Sequence, residues 1–179
     1  ELGVIEVEQR RGAAAVAVLG SWWVDAQPMP VAAGTAGRLQ CISYAPSDAG
    51  PRNPRGVTRE QLQRDLALLA QRTSCVRTYT VSEGFAQVPE VARELGLEVL
   101  LGAWIGGDAA HNEREVALVI DTAQRHRDTV RAIVVGNEVL LRHELTPDQL
   151  AVLVRRVGTA TGLPVTYADV WGFWVKHRV

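Results

Sequence analysis

The feature that most restricts this chain is a regular alternation, from about residue 39 onward, of short apolar runs rich in β-branched residues with longer amphipathic stretches. Residues 39–45, 74–80, 97–104, 130–136 and 163–170 read as strands. Between them, 58–71, 85–96, 113–125 and 146–160 read as helices. Leu62, Leu66 and Leu69 fall on one helical face, and so do Val116, Val119, Ile120 and Ala123. The punctuation agrees with this reading. Thr58 with Gln61 three residues on forms a capping-box pattern, Gly96 suits a left-handed helix end, and Thr146-Pro147 opens a helix.

Strands that alternate with helices predict an α/β protein with a parallel sheet and right-handed crossovers. A doubly wound sheet and a (β/α)8 TIM-type barrel both fit that pattern. The placement of polar and aromatic residues favours the barrel: Tyr44, Tyr79, Trp104, Glu138 and Asp169 fall at or just past strand carboxyl ends, where barrel active sites are built. A glycine-rich phosphate loop is missing after the first strand, which counts against a nucleotide-binding domain. About five β/α units are present, so the barrel is expected to be incomplete.

At 179 residues, 47% hydrophobic and 22% charged, the chain has the apolar mass for one globular core. A net charge of -1 supplies no positive field for a polyanion, which excludes nucleic acid as a partner. Cys41 and Cys75 are too few for a disulfide scaffold and are expected to remain free buried thiols, although their strands would be neighbours. Histidines 111, 126, 143 and 177 are scattered and form no metal-ligand pattern, so neither a metal nor another cofactor is expected. Residues 12–24 are uncharged and follow Arg10-Arg11. They read as a signal-peptide core, as the tail of an anchor helix, or as an element packed on the domain, and are too short to cross about 30 Å of hydrocarbon. Residues 1–37 are therefore set apart as an N-terminal segment with a linker, and 38–179 as the barrel domain.

The segment with the most chemistry in it is Gly136-Asn137-Glu138, at the end of the fourth strand. Glycoside cleavage needs a carboxyl group that can deliver a proton to the glycosidic oxygen, and an adjacent Asn can bind the sugar 2-hydroxyl. Asn-Glu after a strand is weak by itself, because a surface loop carboxylate gives the same pattern.

The flanking sequence resembles a known family. Val135-Gly136-Asn137-Glu138-Val139-Leu140-Leu141-Arg142 is similar to the acid/base segment of family 17 glycoside hydrolases, the β-1,3-glucanases and glucanosyltransferases, in their bacterial and fungal branch. Ile42-Ser43-Tyr44-Ala45-Pro46 resembles that family's first strand and Val76-Arg77-Thr78-Tyr79 its second. Leu100-Leu101-Gly102-Ala103-Trp104, followed by Asn112-Glu113, resembles its third unit. Pro164-Val165-Thr166-Tyr167-Ala168-Asp169-Val170-Trp171 resembles the segment after the acid. The resemblance implies a retaining hydrolase or transglycosylase on a (β/α)8 barrel. Glu138 would be its general acid/base, and Arg77 with Tyr79 an Arg-x-Tyr pair facing the barrel interior.

Asn137 is the expected 2-hydroxyl ligand. Tyr44, Tyr79, Trp104 and Trp171 are candidates to stack on sugar rings, and each could instead fill the core or a wall. Arg77 could instead form a structural ion pair, and Asp169 either binds a subsite hydroxyl or caps a loop. Family members carry their nucleophilic Glu after the seventh strand, beyond the span of this sequence. None of Asp48, Glu83, Asp108 and Asp169 matches it. The expectation is therefore part of a longer enzyme acting on β-glucan oligosaccharide or polysaccharide. It would be periplasmic or extracellular, with a membrane anchor or fused membrane module. A non-catalytic glucan-binding or assembly module of the same fold and a β-1,4-glycanase are the alternatives.

Overall fold

The computed structural model describes residues 37–46 and 56–176. The chain divides into two units, Glu1–Ala36 and Gly37–Val179, and all of the described residues belong to the second. The stretch 12–24 and the loop carboxylate Asp48 lie outside the described residues. Strands β1 (Ile42–Ser43), β2 (Cys75–Arg77), β3 (Glu98–Ala103), β4 (Val130–Asn137) and β5 (Val165–Ala168) alternate with helices α1 (Arg59–Ala70), α2 (Val88–Glu94), α3 (Ala109–Arg125), α4 (Pro147–Thr161) and α5 (Trp171–Lys176).

Every neighbouring strand pair is parallel, and the order β1-β2-β3-β4-β5 follows the chain. A doubly wound sheet reverses direction at a switch point, whereas sequential order builds a barrel wall. The fold is thus part of a (β/α)8 barrel. Its two faces differ in cover. Val76, Val99, Leu101, Ile133 and Val135 alternate onto the helix side and have no exposed surface. Ser43, Arg77, Leu100, Ala132 and Thr166 point the other way and are half-buried or exposed. Leu62 and Leu66 of α1 and Val116 and Val119 of α3 close the core from the helix side. Burying each leucine contributes about 1.5–3 kcal/mol.

Local signals explain most element boundaries. The Thr58 hydroxyl accepts from the Gln61 N–H at 3.3 Å, and Thr146 forms a reciprocal capping box with Gln149 ahead of Pro147. Helix α3 starts four residues earlier than its apolar spacing suggests, because Asp108 caps it by accepting from the N–H groups of Ala110 and His111 at 2.9 and 3.1 Å. The alanines between carry no amphipathic signal. A 3-10 turn, Phe85–Gln87, precedes α2.

Cys41 and Cys75, expected as free thiols, instead form a disulfide, with Cα atoms 4.3 Å apart. Register is the reason. Ile42 pairs with Val76, which sets residues 41 and 75 side by side at the amino-terminal ends of β1 and β2. Among the described residues, no helix is long and apolar enough to cross a membrane.

Candidate active site

The carboxyl ends of β2, β3 and β4 meet around Asn137 and Glu138. Sheet alternation puts Arg77 and Tyr79 on one side of their segment. The Arg77 guanidinium lies over the Tyr79 ring, 4.6 Å from its centroid, and donates from Nη2 to Asn137 Oδ1 at 2.7 Å. Among the described residues Arg77 makes no ion pair; its guanidinium fixes the Asn137 amide. With Oδ1 engaged, the amide N–H groups of Asn137 are the ones able to donate to a ligand hydroxyl.

Close approach of β2 and β3 shapes this end. A Cβ on Gly102 would lie 2.2 Å from the Thr78 carbonyl oxygen, so only glycine fits, and the Gly102 N–H donates to the Thr78 hydroxyl at 2.9 Å.

Glu138 follows β4 in the left-handed region, with φ of 57°, and is half-buried. Its N–H donates to the Ala168 carbonyl at 2.8 Å, anchoring it to the end of β5. The loop behind it is organised by Arg142. This side chain donates from Nη1 to the Asn137 carbonyl, from Nη2 to the Ile105 carbonyl at 3.2 Å, and from Nε and Nη2 to Glu144 Oε2 at 3.0 and 2.6 Å. Its guanidinium also covers the Trp104 ring at 4.8 Å. Asn112 fixes the same β3 loop, exchanging hydrogen bonds with both backbone groups of Gly106 at 2.9 and 2.7 Å.

A cleft of about 350 Å³ opens beside this cluster, lined by Tyr44, Tyr79, Thr80, Glu83, Phe85 and Trp104 among others. Tyr79 and Trp104 both line it, and Trp104 is 39% exposed. Tyr44 is buried as a wall, its hydroxyl donating to Asp65 Oδ2 at 2.7 Å. Asp169 accepts from the Tyr167 hydroxyl, the Val170 N–H at 2.7 Å and the Leu141 N–H at 3.4 Å, so it ties the β5 end to the Glu138 loop. Trp171, on α5, is 81% exposed and is not among the residues lining the cleft.

Two groups stand out that sequence reasoning gave no role. Glu115 is fully buried in α3 and accepts from the Thr80 hydroxyl and, at 3.3 Å, from the Val81 N–H, which holds the β2 loop at the cleft. It and Asn112 share the buried stripe of Val116, Val119 and Ala123, and a polar residue on an apolar stripe was the available signal. For Arg142 the sequence offered no comparable signal, because its partners come from other segments. At the rim, the backbone N–H of His111, then that of Ala110, holds the Asp108 carboxyl below its ordinary value of 3.8. No described group of His, Cys, Asp and Glu residues could hold a metal ion.

This geometry can be set beside known proteins. The glucan 1,3-beta-glucosidase of Schizosaccharomyces pombe is 34% identical over 123 residues, covering 62% of this chain and 37% of that protein. The glycoside hydrolase family 17 beta-1,3-glucanosyltransferase of Rhizomucor miehei superposes with a TM-score of 0.62 at 25% identity, over 73% of this chain and 49% of that one. An endo-laminarinase from Formosa gives a TM-score of 0.66 at 22% identity, over 78% and 44%, and shows the fold alone. The chain thus spans less than half the length of each of these proteins. Residues 41–179 match the family described as the BtgE/BtgC glycoside hydrolase domain, and the chain belongs to that family.

Proposed function

We propose that this chain is the acid/base-bearing part of a retaining glycoside hydrolase or glucanosyltransferase acting on β-1,3-glucan. The observation that carries the reading is the pair at the end of β4: Glu138 held at φ of 57° beside an Asn137 whose carbonyl side is occupied by Arg77. Asn137 then offers its amide N–H groups to the sugar 2-hydroxyl while Glu138 protonates the departing glycosidic oxygen. Tyr79 and Trp104 serve as stacking surfaces in the cleft, with Tyr44 as its wall. Trp171, exposed on α5, lies outside the cleft lining, and Asp169 serves chiefly as a loop anchor.

A retaining mechanism needs a second carboxyl about 5 to 5.5 Å from the first. We assign it to no described residue, and in this reading it comes from the share of the relatives' length that this chain does not span. An active-site mutant of the Rhizomucor miehei beta-1,3-glucanosyltransferase forms a complex with laminaritriose, which supports a β-1,3-linked oligosaccharide as ligand. The disulfide supports a periplasmic or extracellular setting, since such bonds persist in oxidising compartments. A membrane anchor of which residues 12–24 form the tail belongs to the same proposal.

The test is release of reducing sugar and of transfer products from laminari-oligosaccharides by the full-length gene product, with Glu138→Gln in parallel. Loss of both product types in Glu138→Gln supports the reading. Undiminished turnover removes Glu138 from the chemistry, and binding without turnover in the unaltered protein makes it a glucan-binding module.

A further inference from the structure

We propose that Arg142 is the positioning residue of the acid/base, holding the Glu138 backbone in its left-handed conformation and coupling it to the Trp104 wall of the cleft. This role rests on Glu138 being the acid/base. A non-glycine residue at φ of 57° lies in a region that costs roughly 1 to 2 kcal/mol per residue, so neighbouring contacts must hold it there. The peptide group between Asn137 and Glu138 sets that φ, and its carbonyl oxygen accepts from Arg142 Nη1.

The same guanidinium is itself fixed. Glu144 takes Nε and Nη2, the Ile105 carbonyl takes Nη2 again, and the Trp104 ring lies beneath the plane. A planar fork with five donors can meet these demands together, and a lysine cannot. Ile105 in turn precedes Gly106, whose two backbone groups are locked by Asn112 of α3. A continuous set of contacts therefore runs from a rigid helix through the β3 loop to the acid/base. Asn137 is gripped twice: Arg77 fixes its side chain for substrate, and Arg142 fixes its main chain for the acid that follows.

Displacing a proton donor by about 1 Å costs on the order of 100-fold in rate, while leaving groups that need no proton are spared. This gives a readout that a general structural role would not move. The full-length protein and its Arg142→Lys, Glu144→Gln and Glu138→Gln variants are assayed for kcat/KM on two donors. One is a laminari-oligosaccharide, whose sugar leaving group needs protonation, and the other is a 2,4-dinitrophenyl β-laminarioside, whose leaving group does not.

Arg142→Lys is expected to lose on the order of 100-fold on the oligosaccharide and less than about threefold on the activated donor, following the pattern of Glu138→Gln. Glu144→Gln, which keeps the guanidinium but frees it, should show the same selectivity at about tenfold, and it carries the test if Arg142→Lys does not fold. Equal losses on both donors, or full activity in both loop variants, would overturn the role of Arg142 while leaving Glu138 as acid. If Glu138→Gln itself turns over the oligosaccharide normally, the failure lies in the reading of the site, and the positioning role goes with it.

Discussion

The two ends of the sheet are built by different means. At the amino-terminal ends of the strands, connections are covalent, run to backbone carbonyls, or are exposed ion pairs such as Arg131 with Glu98. The Cys41–Cys75 disulfide joins β1 to β2, Arg38 donates to the carbonyls of Ala70 and Thr73, and Arg127 donates to that of Thr161. Where the chain needs a positive φ at this end it places glycine, at Gly96 and Gly162. At the carboxyl-terminal ends, side chains grip side chains and loop peptides through Arg77, Arg142, Glu115 and Asn112. All three described non-glycine residues with positive φ, Glu83, Glu138 and His143, lie there. Among the described residues, the strain of a positive φ at a non-glycine position is therefore kept to one side. The end that holds the strands together is relaxed, and the end that carries the acid is held against its backbone preference.

Substitutions at either end put that contrast to the test. Replacing Cys41 and Cys75 by serine opens a bridge across 34 residues and should lower unfolding stability by about 3 to 4 kcal/mol in urea titrations, with kcat/KM unchanged well below the transition. A parallel collapse of activity in the folded protein would mean that the two ends are not separable. Gly162→Ala puts a Cβ on a residue at φ of 65° with only ordinary contacts nearby, so thermal denaturation should register a loss of about 1 to 2 kcal/mol. Glu138→Gly makes the opposite trade. It relaxes the left-handed residue and should raise stability by up to about 1 kcal/mol while abolishing turnover, and a destabilised variant would contradict stored strain at this position.

The smallest effects are those of pH, and they separate the two ends by window. Burial, then the charge of Arg125, pushes the His126 imidazole below its ordinary 6.5. Its protonation is disfavoured in the folded state, so stability falls as pH drops through 6.5 toward the lower folded value, and His126→Asn should flatten that decline. Asp108 works in a lower range. Its carboxylate is stabilised by the fold, so that contribution is present above 3.8 and disappears as pH falls below it through the depressed folded value. Amide exchange at the two ends of α3 across pH 3 to 7 would resolve the order; loss at the Asp108 end first would contradict it.

Legibility followed the same division. Asn137-Glu138 could be found because the sequence flanking it resembles the acid/base segment of a known family, and Arg77 and Tyr79 because Val76-Arg77-Thr78-Tyr79 resembles that family's second strand, where period two puts both side chains on one face. The early start of α3 escaped because a cap acts through one aspartate and two backbone N–H groups, with no periodic signal. Asp169 stayed open between ligand and cap until its partners, Tyr167, Val170 and Leu141, were in place. The free-thiol reading of the cysteines failed on register, since strand adjacency is visible in a pattern and the alignment of two strands is not.

Local sequence was enough to establish the alternation of strands and helices, the helix-facing core and the residue types at the strand ends, because these depend on periodicity, caps and side-chain direction. It took the folded arrangement to establish that the strands lie in sequential order, that Cys41 meets Cys75, and that Arg77 and Arg142 converge on one asparagine. Those pairings join residues far apart in the chain. They exist only when register and loop conformation are fixed together, since a shift of one residue in a strand sends its side chains to the other face.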